Sequence, residues 1–235
     1  NQNKLRQRGH AMTGRDLFAL MPFWILAGTT VLIMLGIAVK RNLAVTAWLA
    51  FLGCAASFLS VFKVAGLASA GGGPLLVIDT YALFFTGLIA AGGMFIILLG
   101  YAYFRPLGED GEEFFLLVLL AVLGAAVLAA SRHFVSLFLG LELLSVALYA
   151  LISYRLDRAE AIEAGIKYFV LASASAAFLV FGMALIYAGT GTMDIGQAIR
   201  GLESAAGFAP VIFLGIALVV VGIGFKLAVV PFHMW

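Results

Sequence analysis

A carboxyl group and three hydroxyl groups recur at helical spacing within the apolar stretch LFLGLELLSVALYALISY, residues 137–154. The carboxyl belongs to Glu142. The hydroxyls belong to Ser145, Tyr149 and Ser153, which follow the glutamate by three, seven and eleven residues. This spacing places all four groups on one face of a helix. Because hydroxyls donate to a carboxylate and accept from water, this face has the chemistry of a proton relay. The alternative is that the hydroxyls bond to carbonyls of their own helix.

Lys167 and Lys226 are two further ionisable side chains inside apolar stretches. The chain has 14 Lys and Arg and 12 Asp and Glu residues, and all others except Glu142 fall in predicted loops or near helix ends. An ionisable group at the centre of a membrane helix costs about 2.5–3.5 kcal/mol to insert, so such groups usually pair and mark an ion or proton path. We therefore predict that these three residues carry the chemistry. An ion pair that only joins helices is the alternative.

The backbone around Lys226 is predicted to break. Gly222 and Gly224 precede the lysine, and Pro231 follows it. Proline removes one helical hydrogen bond and clashes one turn back, which is next to the lysine. Transporters place ion sites on such broken helices, where the freed carbonyls face a cavity. His233 follows the break, either as a proton carrier or as a plain hydrogen-bonding group.

The composition indicates whether these ionisable groups lie in water or in a membrane. The 235 residues are 64% hydrophobic and 11% charged, with a mean hydropathy of +1.12. Such a chain is too apolar to cover a water-facing surface, so we predict an integral membrane protein. The net charge of +2, with scattered basic residues, excludes a nucleic-acid-binding surface. A single cysteine, Cys54, allows no internal disulfide and no Cys₄ site, and we expect no metal or cofactor site in this chain.

Apolar segments of roughly 20 residues, long enough to cross about 30 Å of hydrocarbon, recur along the chain. Short polar connections such as VKRN and RLDRAE imply antiparallel neighbours in one bundle. We predict an all-α polytopic transmembrane helix bundle whose last helix is broken. A short surface helix is expected around Ile195, Ile199 and Leu202. The predicted spans are residues 17–39, 43–62, 80–104, 114–131, 135–154, 162–188 and a seventh from 209 to the end.

This pattern divides the chain into three parts. Residues 1–16 form a polar segment, residues 17–110 hold the first three spans, and residues 111–235 hold spans four to seven. Lys40 and Arg41 follow the first span and favour the cytoplasmic side, so the N-terminal segment is expected outside the cytoplasm. The last residues are apolar without a polar flank, and we expect the chain to be part of a longer protein.

Three stretches carry a resemblance to a known family: SLFLGLELLSVALYALISY, EAGIKYFVLASASAAFLVFGMALIYA and VGIGFKLAVVPFHMW. They are similar to the antiporter-like membrane subunits of respiratory complex I, the proton-translocating NADH:quinone oxidoreductase, and most closely to bacterial subunit N. The sister subunits L and M typically have tryptophan at the position of Leu141, before the glutamate. The resemblance runs through all seven predicted spans.

The resemblance implies a role for each embedded charge. Glu142 would be the glutamate of the fifth helix, Lys167 the lysine of the sixth and Lys226 the lysine of the broken seventh. Pro231 and His233 match the PFH sequence of the break. The family fold has about fourteen helices with two inverted repeats. This chain would therefore hold the first repeat, and the second repeat and the lysine of the eighth helix would lie beyond it.

The resemblance also implies which partner subunits, cofactors and membrane surround the chain. The subunit would move protons without a redox centre of its own, while FMN and iron–sulfur clusters would be held by partner subunits. Its neighbours would be subunits K and M, in the bacterial inner membrane, within a complex that reduces quinone. A subunit of a multi-subunit sodium/proton antiporter or of a membrane-bound hydrogenase would share the same motifs. A purely structural membrane scaffold is the remaining alternative.

Overall fold

A computed structural model describes residues 14–66, 73–107, 111–201, 209–230 and 232, and most of these are helical. The predicted N-terminal segment up to residue 13, together with Leu202, Pro231 and His233, lies outside the described residues. A short 3₁₀ turn, Arg105–Leu107, follows the fourth helix. The α-helices are α1 (Gly14–Ala19), α2 (Met21–Val39), α3 (Leu43–Ala65), α4 (Thr80–Phe104), α5 (Glu112–Ala129), α6 (Phe134–Ile152), α7 (Ala159–Thr190), α8 (Ile195–Gly201) and α9 (Ala209–Lys226).

The predicted polytopic helical bundle is confirmed. Within the described part of the chain, six helices, α2 to α7, are long and apolar enough to cross a membrane by length and composition. The seventh predicted span corresponds to a shorter apolar helix, residues Pro210–Lys226. The boundaries agree with the predicted ones within a few residues. The largest helix is α7, whose 32 residues extend the predicted sixth span at both ends.

Polar residues just outside the apolar runs fix where several helices begin. The side chain of Asn42 accepts a hydrogen bond from the backbone N–H of Val45 at 3.1 Å, and Asp79 caps α4 in the same way. His133 caps α6, and Ser136 accepts a hydrogen bond from the His133 backbone N–H at 3.3 Å. Such caps satisfy the free N–H groups of a first turn. His133 is therefore a helix cap in this structure.

The chain divides into two compact units, Asn1–Ser131 and Arg132–Trp235. In the first unit, α5 packs against α2, α3 and α4. Cys54 and Phe115 are fully buried in its core. The predicted division at residue 110 separated the fourth span from the first three, whereas packing groups these four helices together. The difference arises because α5 buries its core face against the helices that precede it.

The first unit also holds a buried carboxyl group, that of Glu112, at a position that the sequence predicts to be near a helix end. Glu112 begins α5, and only 3% of its surface is exposed. The Arg41 Nε lies 3.7 Å from Glu112 Oε2, and the same guanidinium hydrogen-bonds Glu113. A paired guanidinium offsets the cost of burying a carboxylate. The corner between α2 and α3 is thereby joined to the start of α5.

In the second unit, α7 packs most extensively against α9. Gly182 and Gly215 meet where the two helices approach most closely, since a Cβ on Gly182 would lie 2.6 Å from the carbonyl oxygen of Gly215. Further along, the hydroxyl of Ser175 donates to the carbonyl of Gly222 at 2.9 Å. Small residues of this kind allow close packing of membrane helices. This contact fixes α9 against α7.

Substituting Gly182 with alanine is expected to destabilise the second unit, because the new methyl group would meet a backbone carbonyl. Overpacking of this kind costs typically about 1–3 kcal/mol. The measurement is thermal unfolding of the purified protein in mild detergent, with Gly92→Ala as control, since a Cβ there meets nothing within 4 Å. Equal stability of the two variants would contradict the close contact.

The short helix predicted between the sixth and seventh spans is confirmed as α8. Asp194 caps it by accepting from the N–H of Gln197 at 2.8 Å, and it accepts from Arg132 Nε at the same distance. Burial of Asp194 opposes ionisation, but these two hydrogen bonds and the positive charges of Arg132 and Arg200 together outweigh it and hold the pKa of Asp194 below its ordinary value. The N–H of Phe134 donates to the carbonyl of Met193 at 2.9 Å. The segment before α8 is thereby fastened to the start of α6.

Candidate functional site

The end of α9 is built by a turn of unusual composition. Ala228 has a positive φ of 50°. The N–H of Val229 donates to the carbonyl of Gly224, and the N–H of Ala228 donates to that of Phe225, both at 3.0 Å. This is the Schellman pattern of helix termination, with alanine where glycine is usual. The left-handed conformation costs an L-residue about 1–2 kcal/mol, so the turn holds a strained backbone.

The predicted break therefore occurs directly after Lys226, the last residue of α9. Gly222 and Gly224 lie inside the regular helix. Gly222 has a packing role, since a Cβ there would lie 3.0 Å from the Cβ of Leu179. Because the helix ends at the lysine, the negative end of the helix dipole lies beside the ammonium group and favours it.

Lys226 contacts two groups on α6. Its Nζ donates to the Ser145 hydroxyl oxygen at 2.5 Å and lies 3.7 Å from Glu142 Oε1. The lysine side chain is only 9% exposed, and that of Glu142 is 30% exposed. Ser145 in turn donates to the carbonyl of Leu141 at 2.7 Å. Glu142 on α6 and Lys226 at the end of α9 therefore form an ion pair, with Ser145 as the closest partner of the lysine.

The Glu142 carboxylate has spare capacity to accept a hydrogen bond. Its Oε1 atom is buried, and no hydrogen-bond partner for it occurs among the described residues. At 3.7 Å, Lys226 Nζ is an ion-pair partner beyond normal hydrogen-bond distance. A small movement of the ammonium would exchange the Ser145 oxygen for a carboxylate oxygen. The cluster therefore offers one cation two alternative acceptors.

The other two hydroxyls of the predicted polar face, those of Tyr149 and Ser153, do not reach Lys226. The Ser153 hydroxyl donates to the carbonyl of Tyr149 at 2.9 Å, so it bonds within its own helix. The Tyr149 ring packs edge-on against Phe169, with centroids 5.2 Å apart. A continuous polar face from Glu142 to Ser153 is therefore not formed by these side chains.

Lys167 does not join the cluster either. Its Nζ lies 2.5 Å from Glu163 Oε1, one helical turn away, and the side chains are 68% and 64% exposed. Gly165 is close to the end of α6, since a Cβ there would lie 2.5 Å from the Cβ of Ser153. Lys167 is therefore near the end of α6 that is distant from His133. That Lys167 takes part in a proton path stays a prediction.

Replacing Lys167 with alanine is expected to reduce proton transfer only in part, because the residue lies outside the Glu142–Lys226 cluster. The measurement is proton uptake by reconstituted vesicles at equal protein content. Glu160→Gln, which removes a charge from the first turn of the same helix, is the control. A complete loss of transfer in a fully assembled protein would show that Lys167 has a more central role.

Sequence reasoning missed Tyr168. This residue is 6% exposed, and its side chain hydrogen-bonds Ser145 and interacts electrostatically with Glu142. A signal was available, since small residues recur at helical spacing along α7 and mark its buried face. Tyr168 shares that face, and Lys167 lies about 100° around the helix from it. The small residues of this face are Gly165, Ala172, Ser175 and Gly182.

Part of the chain matches a known family. Residues 131–235 match the family described as NADH:quinone oxidoreductase/Mrp antiporter, TM. A chain of respiratory complex I from Thermus thermophilus, solved with bound aureothin, is 32% identical with a TM-score of 0.72. The match covers 91% of the present chain and 45% of that chain.

Two other solved structures share the fold. The membrane-bound sulfane sulfur reductase, an archaeal respiratory membrane complex, contains a chain with 23% identity and a TM-score of 0.80 over 94% of this chain and 46% of that chain. The Mrp complex from Dietzia sp. contains one with 20% identity and a TM-score of 0.73, over 95% and 43% respectively. The present chain thus spans a little under half the length of each of these three chains. The chain is therefore similar to membrane subunits of these complexes, and its residues 131–235 match the transmembrane family described for NADH:quinone oxidoreductases and Mrp antiporters.

Proposed function

We propose that this chain is a proton-translocating membrane-arm subunit of an NADH:quinone oxidoreductase, and that Glu142 and Lys226 carry part of its proton path. The observation that carries the proposal is the contact of Lys226 Nζ with Ser145 and Glu142 inside the apolar second unit. A lysine that holds a proton in such a place needs acceptors for its ammonium group. Lys226 has two, the Glu142 carboxylate and the Ser145 hydroxyl oxygen.

The distance between the two charges determines how strongly Glu142 stabilises the protonated form of Lys226. Two unit charges about 4 Å apart interact by roughly 4 kcal/mol at an effective dielectric constant near 20. Removing that interaction changes the tendency of the lysine to lose its proton by about a thousandfold. Movement or neutralisation of Glu142 would therefore control whether Lys226 holds its proton. Conformational or electrostatic coupling to redox chemistry elsewhere would drive this change.

In this proposal the chain is the non-redox part of a translocase. FMN and iron–sulfur clusters would be bound by partner subunits, and the chain would lie between neighbours K and M as the type N subunit. The membrane would be the bacterial inner membrane. The 32% identity to a complex I chain from Thermus thermophilus supports this assignment over the other relatives. The roles of Lys167, His233 and Pro231 in the path belong to the same proposal.

A second candidate is a subunit of a multi-subunit sodium/proton antiporter or of a membrane-bound hydrogenase. The TM-scores of 0.73 and 0.80 to the Mrp complex and the sulfane sulfur reductase favour this alternative at the level of the fold. A third candidate is a structural scaffold in which Glu142 and Lys226 only join helices.

The proposal is tested by the set of subunits that co-purifies with this chain from gently solubilised membranes. We expect subunits with FMN and iron–sulfur clusters, in a preparation that oxidises NADH and reduces quinone. A preparation without flavin or iron, in vesicles that exchange sodium for protons, would replace the proposal with the antiporter alternative.

A further inference from the structure

Two side chains and one backbone carbonyl meet at the hydroxyl of Ser145, and one of the side chains has no assigned role. Lys226 Nζ donates to the Ser145 oxygen at 2.5 Å. Tyr168 hydrogen-bonds the same serine side chain from α7. The serine sends its own proton to the carbonyl of Leu141 at 2.7 Å. Ser145 is itself buried, with 3% of its surface exposed.

The hydrogen-bonding capacity of a serine hydroxyl is used completely by these partners. A hydroxyl has one proton to donate and two lone pairs to accept with. The proton of Ser145 is directed to Leu141, and Lys226 takes one lone pair. The other lone pair remains for the Tyr168 hydroxyl. With both partners present, the oxygen of Ser145 has a single orientation.

Packing holds the Tyr168 ring in place independently of these hydrogen bonds. The ring lies in a buried cluster with Ala172 and Phe225, against which Leu148 and Ile152 also pack. The ring centroids of Tyr168 and Phe225 are 6.3 Å apart. Phe225 directly precedes Lys226 in the chain. The tyrosine is therefore fixed both to the serine and to the end of the helix that carries the lysine.

We propose that Tyr168 is a positioning residue for proton transfer at Lys226 and that it acts through Ser145. Its hydroxyl occupies one lone pair of the serine oxygen and so directs the other lone pair at Lys226 Nζ. This inference rests on the proposed function. Tyr168 is then the residue of α7 that acts at the Glu142–Lys226 cluster, whereas Lys167 on the same helix faces away. Among the described residues, Glu142 on α6 is the titratable group that contacts Lys226, and Tyr168 on α7 reaches the same Ser145.

Substituting Tyr168 with phenylalanine tests the proposal, because the ring and its packing remain and only the hydroxyl is removed. We expect proton transfer in reconstituted vesicles of the native complex to fall about fivefold, the size of one net hydrogen bond. The matched control is Tyr187→Phe on the same helix, where the tyrosine is 46% exposed, and it should leave the rate unchanged. Wild-type rates in Tyr168→Phe at equal complex content would overturn the proposal.

A double-mutant cycle tests whether Tyr168 acts through Ser145. Ser145→Ala should lower the rate about fivefold or more, since the lysine loses its closest partner. Adding Tyr168→Phe to that variant should cause no further loss, because the serine through which it acts is already absent. Multiplication of the two losses would show independent action and would contradict the proposal.

An infrared measurement separates this inference from the proposed function. With ring-labelled tyrosine, the C–O band that is missing in Tyr168→Phe identifies this residue. We expect that band to shift in Ser145→Ala, because the phenol loses its partner. The shift does not require the protein to move protons. An unshifted band would refute the Tyr168–Ser145 contact, whereas a shifted band with unchanged transport in both variants would preserve the contact and overturn its functional role.

Discussion

Replacing Lys226 with arginine is expected to leave the protein assembled and to remove most of its coupled proton transfer. Arginine keeps the positive charge beside Glu142 and the end of α9. Its guanidinium group stays protonated near neutral pH and cannot release a proton. A residue that only joins helices would tolerate this change better than a residue that carries protons. We expect a loss of at least about a hundredfold, the lower end of the range found for acid–base groups.

The measurement compares quinone reduction with proton uptake in reconstituted vesicles at equal complex content. Lys63→Arg is the matched control, because Lys63 is exposed in the last turn of α3. It should retain wild-type rates. Near-normal pumping by Lys226→Arg would eliminate the relay and leave a structural ion pair as the better explanation of the cluster.

Replacing Glu142 with glutamine is expected to have the second largest effect, because it removes the negative charge while keeping the shape of the side chain. Lys226 would then retain only Ser145 and the helix end as partners. Glu142→Asp keeps a carboxylate and should retain much of the activity. The proposed control of proton release by Glu142 requires this difference between the two variants.

The same vesicle assay at equal complex content measures both Glu142 variants. Glu160→Gln, on the first turn of α7, controls for the loss of one carboxylate elsewhere in the unit. Equal activity of Glu142→Gln and Glu142→Asp would show that the charge of this residue is not used. Loss of assembly in both variants would instead support the scaffold alternative.

The fold was predictable because the membrane imposes a length on apolar segments, and the cost of embedded charge isolated Glu142 and Lys226. The faces of α7 were harder to assign. Both faces of that helix are largely apolar, so hydrophobic periodicity gave no clear inward direction for Lys167 or Tyr168, and the spacing of the small residues was the remaining signal. Tyrosine also carries no charge, so counting charged residues could not detect it. Whether Ser153 bonds inside or outside its own helix depends on a rotamer that the sequence does not specify.

The 32 residues of α7 have a consequence for its exposed ion pair. At 1.5 Å per residue the helix is about 48 Å long, whereas a hydrocarbon layer is about 30 Å thick and an average tilt near 20° absorbs little of the difference. The 19-residue α6 fits that layer, and its C-terminal end is level with Gly165. Residues before Gly165 therefore project into the headgroup layer, and Lys167 extends its flexible chain toward it. There the Glu163–Lys167 pair meets water and phosphate, so its exposure on a membrane helix costs little and gives the protein a charged rim at the membrane surface.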